Sequence, residues 1–580
     1  MHGPTLAFSE ELHAEKYRGE GESFREAMNR VASALQDDPA HYREFRDILL
    51  DMRFLPAGRV QAAMGSTRQI TPYNCYVSGT IEDSFVDGNG SIMARAVEAA
   101  ATMRMGGGIG YDFSSLRPRG ALIKKLQSRS SGPISFMEIY DAICRCVASS
   151  GHRRGAQMGV MRIDHPDIEE FIHAKQNEEF LTGFNVSIAA TDEFMECLDA
   201  GRPCQLKWGG EVYKEVDPQA LWEIVMRSTW DWAEPGVLFI DTINRMNNLW
   251  YCEKIAATNP CGEQPLPPYG ACLLGSVNLV KCLKRLPTGE FVFDWETFVR
   301  DIPPTVRAMD NIIDRAIYPL YEQEKEAKSK RRMGLGVTGL ANCLETLGHP
   351  YGSPGFLAME DKILSVLANE AYRASATLAA EKGSFPLYEA EHYLAGQFIQ
   401  TLDEDVQELI QRNGIRNSHL TSIAPTGTIS FTADYISSGV EPVHEYEAKR
   451  LVNMPTGQVT TEVSDYAYRE FGVRGRLTHE VTAQEHVDVL ATASARVDSA
   501  VSKTINMDGN MPWEDFKGIY TQAWERGCKG CTTYNKDGER NGIIVVSEED
   551  SQQERDDVVL QAATATTCYI DQTTGRHECE

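Results

Sequence analysis

Short strand-like runs alternate with longer helical patterns from about residue 51 to residue 535, and this alternation limits the fold more than any other feature. RMGLGVTG (332–339) and HLTSIAP (419–425) are typical of buried strands, whereas AMEDKILSVLANEAYRASATLAAEKG (358–383) has apolar residues at helical spacing. Such alternation favours an α/β architecture. The 580 residues exceed what one small core organises, which leaves one large α/β barrel or about two to three smaller domains.

Composition excludes several classes of function. The net charge of −26 argues against nucleic-acid binding, because phosphate backbones attract basic surfaces. The first residues lack the basic region and apolar run of a signal peptide, and no apolar segment approaches the roughly 20 residues that span a bilayer. We therefore expect a cytoplasmic protein without a membrane partner, in which most of the 14 cysteines are reduced, buried and structural.

The segment TNPCGEQPLPPYGACLLGSVNL (258–279) places Cys261 and Cys272 eleven residues apart, with Asn259 and Glu263 flanking the first thiol. Prolines and glycines interrupt it, so it is unlike one regular helix. A disulfide, a metal site and a catalytic loop are the alternatives that its residue types leave open.

Three loops offer contacts to a ligand. RMGGGIGYDFSSLRPRG (104–120) contains glycines that form a tight turn or let a ligand approach the backbone, but a strand-like run follows them, which does not fit a dinucleotide fingerprint. SIAPTGTISF (422–431) resembles either a phosphate loop at a helix start or an ordinary turn rich in serine and threonine. SSGHRRGAQMG (149–159) is either a cationic nucleotide contact or a surface turn.

RGCKGCTTY (526–534) contains a CxxC pair, Cys528 and Cys531. Zinc would require a second closely spaced pair, and the nearest thiols, Cys568 and Cys579, have ten residues between them. We therefore interpret Cys568 and Cys579 as exposed thiols that exchange disulfides, and we predict no metal site.

Taken in order, these segments resemble the catalytic chain of class II ribonucleotide reductase, the adenosylcobalamin-dependent branch, over roughly residues 50–535. The matching elements are FLPAGR, NCYVSGTIEDSF, RMGGGIGYDFSSLRPRGA, GHRRGAQMGVMRIDHPDIEEF, NPCGE with ACLLGSVNL, RRMGLGVTGL, APTGTIS and GCTTY. The resemblance implies a ten-stranded α/β barrel over residues 51–540 with an internal loop that carries a radical cysteine. A short N-terminal helical segment (1–50) would precede it, and a flexible C-terminal tail with redox cysteines (541–580) would follow.

The resemblance also implies roles for the active-site residues. Cys261 would be the thiyl radical that abstracts the ribose 3′-hydrogen, Glu263 would accept the 3′-hydroxyl proton, and Asn259 would orient the reacting groups. Cys75 and Cys272 would supply the reducing equivalents. Cys568 and Cys579 would pass electrons to them from a thioredoxin-like or glutaredoxin-like reductant, although their separation departs from the family's closely spaced pair.

Two further groups of residues follow from the resemblance. The expected substrate site comprises Ala57, Asn74, Gly107, Pro425, Thr426, Gly427 and Thr428. The expected specificity site, where a deoxynucleotide or ATP effector binds at the interface of a homodimer, comprises Asp83, Ser84, Arg119, Arg153 and Arg154. The resemblance to a specificity loop favours ribonucleoside diphosphates as substrates over triphosphates.

The source of the radical separates the leading hypothesis from its rivals. Class I chains carry adjacent tyrosines near GCTTY that relay a radical from a second subunit, whereas here Tyr534 stands alone, which favours adenosylcobalamin as the cofactor. A class I large subunit with a metalloprotein partner is the alternative hypothesis. A nucleotide-sensing binding protein without catalysis is the remote one.

Overall fold

The structure is a computed structural model that describes residues 2–149, 153–154, 156–177, 179–454, 457–507, 509–535, 568–571 and 576–579. Within these ranges, no helix combines the length and apolar character that crossing a membrane requires. The α-helices are α1 (Ala7–Tyr17), α2 (Phe24–Leu35), α3 (Pro39–Leu50), α4 (Gly58–Ala63), α5 (Ile92–Arg104), α6 (Pro133–Cys146), α7 (Ile168–His173), α8 (Asp192–Ala200), α9 (Pro218–Trp232), α10 (Ile240–Arg245), α11 (Trp295–Arg315), α12 (Tyr321–Lys330), α13 (Leu340–Thr346), α14 (Pro354–Lys382), α15 (Ala390–Leu394), α16 (Glu404–Asn413), α17 (Gly427–Thr432), α18 (Tyr466–Phe471), α19 (Ala483–Ser494) and α20 (Trp513–Glu525).

The strands are short and spread over most of the chain. They are β1 (Phe54–Pro56), β2 (Cys75–Val77), β3 (Gly108–Asp112), β4 (Leu122–Ile123), β5 (Ser128–Arg129), β6 (Ala148–Ser149), β7 (Arg153–Arg154), β8 (Gln157–Arg162), β9 (Phe184–Ala190), β10 (Cys204–Trp208), β11 (Glu211–Val216), β12 (Gly236–Phe239), β13 (Ala257–Thr258), β14 (Pro265–Leu266), β15 (Ala271–Cys272), β16 (Leu274–Asn278), β17 (Leu283–Arg285), β18 (Phe291–Phe293), β19 (Gly334–Thr338), β20 (Glu447–Met454), β21 (Gly457–Ser464), β22 (Thr504–Met507), β23 (Gly530–Asn535), β24 (Cys568–Asp571) and β25 (Arg576–Cys579).

The central sheet is a ring made of two sets of parallel strands. In the first set β2, β3, β8, β9 and β12 lie side by side and run parallel. β12 then pairs antiparallel with β23, which begins the second set and runs parallel to β22. The predicted alternation of strands and helices is thus confirmed as an α/β arrangement.

Single bridges and one continuous segment complete the ring. Just before β22, Val501 bridges Ile423, and Thr421 bridges Leu335 of β19. β19 runs parallel to β16, and β15, directly before β16, pairs antiparallel with β2. The eight-stranded sheet β15-β2-β3-β8-β9-β12-β23-β22 and the three-stranded sheet β1-β16-β19 are thus joined by isolated bridges and by the chain itself. Five parallel strands form one half of the barrel, and four parallel strands with the bridged segment 421–423 form the other. The predicted strand 332–339 is β19, whereas 419–425 takes part through isolated bridges and is not a continuous strand.

Helices cover the outside of the ring. The longest, α14, begins after Ser353, whose hydroxyl accepts a hydrogen bond from the backbone N–H of Phe356 and so satisfies a free helix donor. It packs against α11, α16 and α19. In the N-terminal region, predicted to be helical, α1 contacts both α4 and α17, and α3 contacts α11. The division of the chain at residues 50 and 540 stays a prediction.

A hairpin made by β13 and β14 crosses the inside of the barrel. Ala257 pairs with Leu266 and Thr258 pairs with Pro265, and β13 packs against β3 and β8 of the wall. Glycine is required where the hairpin passes β3, because a Cβ on Gly110 would lie 1.9 Å from the Thr258 carbonyl oxygen. The glycines of the 104–120 segment are therefore explained in part by the close approach of another backbone segment.

We predict that Gly110→Ala destabilises the protein by about 1–3 kcal/mol or more, because the added methyl group meets backbone atoms that cannot rotate away. Chemical denaturation of the purified variant measures this change. Gly518→Ala in α20 is the matched control, since its Cβ would meet nothing closer than 4.0 Å and alanine favours a helix. Equal stability of the two variants would contradict the close passage of the hairpin.

Candidate active site

The six residues 259–264 form the tip of the internal hairpin. The Asn259 side-chain oxygen accepts a hydrogen bond from the backbone N–H of Gln264 (2.9 Å), and the Gly262 N–H bonds to the Asn259 carbonyl (3.1 Å). These bonds fold the tip into a tight turn, with Asn259 and Glu263 buried at its base. Cys261 and Gly262 are half-buried at its end, and Cys261 is disulfide-bonded in this structure. A Cβ on Gly262 would meet no atom of the described residues within 4 Å.

The structure brings Cys75 and Cys272 together in neighbouring strands. They are directly opposite residues in the antiparallel pair of β2 and β15, and both are buried. Directly opposite residues in such a pair have Cβ atoms about 4.5–5.5 Å apart, which is within reach of a disulfide. Cys272 therefore faces Cys75 across the sheet, and the eleven-residue spacing from Cys261 does not reflect a bond between Cys261 and Cys272.

The hairpin tip lies beside this cysteine pair. The Cys75 sulfur and the Pro260 side chain lie 3.2 and 3.4 Å from the same point, the position of a Cβ on Gly108. Burial, followed by the nearby charges of Glu263 and Cys75, raises the pKa of the Cys272 thiol well above its usual value. Three cysteines and one carboxyl predicted from the sequence thus occupy one small region inside the barrel.

Glu263 is a buried carboxyl with unused hydrogen-bonding capacity. Burial raises its pKa to about 7, while contact with the Asn259 amide opposes this shift. Among the described residues, Glu263 Oε2, Asn259 Nδ2 and Gln264 Nε2 have no hydrogen-bond partner. Unpaired buried polar atoms are costly, so their grouping at one loop indicates a site for a polar ligand. A carboxyl with a pKa near neutrality is suited to proton transfer.

Three of the predicted substrate residues lie near the start of β3. Ala57 is the N-cap residue of α4, and the Asn74 carbonyl accepts a hydrogen bond from the Gly108 N–H (2.9 Å), next to Gly107. The Asn74 side-chain oxygen is buried without a hydrogen-bond partner in the described part of the chain. Side chains crowd this turn, because the Arg59 guanidinium would meet a Cβ on Gly106 at 2.3 Å.

The other predicted substrate residues form the start of α17. Pro425 precedes Thr426, which has a left-handed backbone (φ 55°), and the helix begins at Gly427 and continues through Thr428. The Thr426 hydroxyl bonds to the Gly439 N–H (2.7 Å) and to the hydroxyl of Thr338 (2.9 Å), so it stabilises the turn. Because α1 contacts both α4 and α17, the two groups of predicted substrate residues lie on the same side of the barrel.

The predicted specificity residues are only partly brought together. Asp83 accepts hydrogen bonds from the backbone N–H (3.1 Å) and Nε (2.7 Å) of Arg117, and the Ser84 hydroxyl accepts one from the Asp87 N–H. Arg119, which we expected beside Asp83, instead forms an exposed ion pair with Glu170. Arg153 and Arg154 form β7, paired with β6 near α5, and their side chains lie outside the described part of the structure.

The other two cysteine pairs considered in the sequence differ in their surroundings. Cys528 and Cys531 are buried in the core, and no cluster of three potential metal ligands occurs in the ranges that the structure describes. In the tail, residues 541–567 lie outside those ranges, but the backbones of Cys568 and Cys579 are directly opposite in the hairpin of β24 and β25. The role of Cys568 and Cys579 as an exchanging thiol pair stays a prediction.

Several residues that contribute to the site were not identified from the sequence. Arg117 lies two positions from Arg119 in RPRG, and the spacing alone does not decide which arginine reaches Asp83. Ser422 donates a hydrogen bond to the Glu263 carbonyl (2.9 Å). In the sequence it was identified only as the first residue of SIAPTGTISF, without a predicted contact to Glu263. Gln264 directly follows Glu263 and is equally buried.

Comparison with known proteins places this geometry in context. A sequence model described as "Ribonucleotide reductase, barrel domain" matches residues 74–534. The chain is 31% identical over 574 residues to the vitamin B12-dependent ribonucleoside-diphosphate reductase of Thermoplasma acidophilum, covering 93% of this chain and 71% of the relative. It is 33% identical to the protein of the same name from Mycobacterium tuberculosis, covering 92% and 79%. It is 28% identical to the vitamin B12-dependent ribonucleotide reductase of Streptomyces clavuligerus, covering 83% and 60%.

We predict that Glu263→Gln removes a pH-dependent component of stability. The folded pKa of about 7 lies above the ordinary value of 4.5 for a glutamate carboxyl, so the stability contributed by the protonated carboxyl is fully present below about pH 4.5 and is lost as the pH rises through about 7. The variant should therefore gain on the order of 3 kcal/mol relative to the unmodified protein between pH 4.5 and pH 8.

Denaturant unfolding at several pH values measures this difference. Glu408→Gln is the control, because Glu408 is exposed and its replacement should give a constant difference. A constant difference for Glu263→Gln as well would show that the carboxyl does not titrate near neutrality.

Proposed function

Because the chain belongs to the ribonucleotide reductase family, we propose that it reduces ribonucleotides to 2′-deoxyribonucleotides by the class II mechanism, with a thiyl radical on Cys261. The observation that carries the proposal is the meeting of the 259–264 hairpin tip with the cross-strand pair Cys75 and Cys272 inside the barrel. The hairpin tip supplies the radical position and the base, and the cross-strand cysteine pair supplies the dithiol.

The first half of the reaction uses the hairpin tip. The thiyl radical of Cys261 abstracts the 3′-hydrogen of the ribose and becomes a thiol, and Glu263 accepts the proton of the 3′-hydroxyl. The Glu263 pKa of about 7 supports this role. The unpartnered Asn259 amide N–H groups are placed to donate hydrogen bonds to ribose oxygens or to the carboxylate itself. Burial limits water at this site, which protects a radical from side reactions.

The second half uses Cys75 and Cys272. As the 2′-hydroxyl leaves as water, the two thiols give up two electrons and two protons and close a disulfide. Glu263 then returns its proton to the 3′-oxygen, and Cys261 returns its hydrogen atom to C3′. The cross-strand register supports closure without a large backbone movement. Cys568 and Cys579 then reduce this disulfide by thiol–disulfide exchange, and a thioredoxin-like or glutaredoxin-like protein renews them. The opposed register of these tail cysteines supports such a pair.

Adenosylcobalamin is the proposed radical source, as the names of the relatives suggest for those proteins. When bound, it supplies homolytic chemistry that generates the radical. The hairpin tip fits a bulky cofactor, because no atom of the described residues lies within 4 Å of a Cβ on Gly262 and Cys261 is only half-buried. Cys261 is disulfide-bonded in this structure, so it would carry the radical after reduction. Cys261 and Gly262 would contact the cofactor there. Tyr534 has no adjacent tyrosine for a stacked relay.

The proposed substrate is a ribonucleoside diphosphate. Ala57 is at the start of α4, Asn74 and Gly107 lie at the start of β3, and Pro425 to Thr428 form the start of α17. Backbone N–H groups at helix starts are suited to phosphate. Two relatives are named as acting on diphosphates, which supports this choice.

A homodimer with an effector site at its interface completes the proposal. Large apolar side chains are exposed around α5 and the neighbouring loops, with Val97 68%, Val86 63% and Leu126 72% exposed. Exposed apolar surface of this kind is typical of protein interfaces. Asp83, Ser84 and β7 lie in the same region, since β6, the partner of β7, contacts α5. We propose that a deoxynucleotide or ATP binds there and selects the base that is reduced.

We expect the purified protein to form deoxynucleotides from a ribonucleoside diphosphate with a dithiol, adenosylcobalamin and no second protein. Cys261→Ala should lose at least about 1,000-fold in rate, because no other side chain replaces the thiyl radical. Chromatography of the products measures turnover, and Cys282→Ala is the control, since Cys282 is buried outside the hairpin. Turnover only after addition of a metalloprotein subunit would favour class I, and turnover only with triphosphates would correct the substrate.

The proposed dimer interface is tested by placing one charged residue on the exposed apolar surface around α5. Val97→Asp should weaken dimerisation about 10-fold or more, because the interface would have to bury an unpaired carboxylate. Sedimentation velocity over a range of concentrations measures the change. Val212→Asp is the control, being an exposed valine on the separate hairpin of β10 and β11. A dimer unaffected by Val97→Asp would place the interface elsewhere.

A further inference from the structure

Lys529, one of the two residues between the cysteines of the CxxC motif, is a buried cation with all its donors in use. Its ammonium group donates hydrogen bonds to three successive carbonyl oxygens, those of Val497 (3.2 Å), Asp498 (2.5 Å) and Ser499. Burial lowers its pKa to about 8, and the charge of Asp498 opposes this shift, so the group is protonated at neutral pH. Residues 497–500 are thus held as a turn around one ammonium group.

The same turn is held on its other side by Asp498. Its carboxylate accepts hydrogen bonds from the Leu420 N–H (2.6 Å), the Thr421 N–H (3.1 Å) and the Tyr372 hydroxyl (2.7 Å). A buried carboxylate with three donors and a nearby cation is well compensated. The turn is therefore fixed to the segment that includes Thr421.

The 497–500 turn also holds the hairpin that carries Glu263. The Ala500 N–H donates to the Glu263 carbonyl (2.9 Å), and the Ser422 hydroxyl donates to the same oxygen (2.9 Å). Both donors belong to segments that Asp498 and Lys529 join. The backbone of Glu263 thus depends on a chain of hydrogen bonds that begins at Lys529.

The hairpin and the turn also meet around one small cavity. It is lined by Pro265 of β14 together with Asn247, His419, Asp498 and Lys529. The residues at this point are buried, so close packing and hydrogen bonds together hold the hairpin.

The two cysteines of the motif have a simpler explanation. Cys528 and Cys531 are buried, and burial raises the pKa of both thiols, which leaves them protonated and poor as nucleophiles or metal ligands. These two buried side chains, which flank Lys529 in the sequence, anchor the start of β23 in the core.

We propose that Lys529 is a positioning residue for Glu263, acting through the 497–500 turn and the Ala500 N–H. The inference rests on the proposed function, in which Glu263 is the base. Loss of the ammonium group leaves three carbonyl oxygens unpaired and frees the turn, so the carboxyl moves relative to the substrate. A small displacement of a catalytic group is enough to slow the chemical step.

The test compares Lys529→Met with Lys503→Met. Lys503 is also buried, and its ammonium group bonds to Glu441 (2.8 Å), His486 and the Thr504 carbonyl, which belong to neither the hairpin nor the turn. Lys529→Met should lower kcat about 10- to 100-fold with KM within about threefold. The acidic limb of its pH–rate profile should shift to lower pH, because a loosened hairpin admits water and reduces the effect of burial on Glu263. Lys503→Met should retain the pH profile of the unmodified protein.

Two further measurements keep the proposal falsifiable. Hydrogen exchange at the Ala500 amide should become faster in Lys529→Met and stay slow in Lys503→Met, and this readout does not require activity. Should Lys529→Met fail to fold, Lys529→Gln retains two N–H donors and should show a smaller shift in the same direction.

The outcomes separate this inference from the proposed function. Slow exchange at Ala500 together with an unshifted pH limb in Lys529→Met overturns the positioning role, as does an equal loss of kcat in both methionine variants. Failure of the unmodified protein to reduce ribonucleotides, or full activity of Glu263→Gln, contradicts the proposed function instead. In that case hydrogen exchange at the Ala500 amide still tests whether Lys529 holds the turn against the Glu263 carbonyl.

Discussion

The passage of a two-stranded hairpin through the barrel is the constraint on which the rest of this structure depends. A hairpin inside a ring of strands leaves little room for side chains on the surrounding wall. Glycines occupy the contact points: Gly110 faces the Thr258 carbonyl, Gly108 faces Pro260, and Gly334 of β19 faces the Gln264 amide. Two parts of the wall, on β3 and on β19, therefore lack side chains where the hairpin passes. The positions of the reactive groups follow from this arrangement.

Burial of the hairpin determines the chemistry of its side chains. In a site from which water is excluded, the charged form of Glu263 is disfavoured and its pKa rises to about 7. The same environment keeps Cys272 protonated, and a thiol, unlike a thiolate, has a hydrogen atom to give. A base that is partly ionised at neutral pH and a dithiol that retains its hydrogens are both needed for the proposed reaction. One physical cause, desolvation, produces both.

The sequence predicted the residue types of the site but not all of their contacts. Asn259, Cys261, Glu263, Cys75 and Cys272 were identified from ordered motifs, and the α/β class followed from alternating patterns. The pairing of Asp83 with Arg117 was not predictable, because both arginines of RPRG are close enough in sequence and only the fold selects one. The strand expected at 419–425 was wrong in detail: the carboxylate of Asp498 and the Val501 bridge satisfy backbone groups that a continuous neighbouring strand would otherwise pair.

Hydrogen bonds between residues far apart in the chain are the contacts that sequence patterns predict least well. Glu263 is held by Ser422 and Ala500, which are 159 and 237 positions away along the chain, and local periodicity carries no information about such contacts. The CxxC motif shows the consequence: its spacing suggests metal or redox chemistry, while its buried thiols and the carbonyl oxygens around Lys529 indicate a structural element. The spacing between Cys261 and Cys272 has a comparable origin. After the tip, the chain must return along β14 to the wall before β15 can place Cys272 opposite Cys75. The interval between the two thiols is therefore the length of the path from the centre of the barrel to its wall.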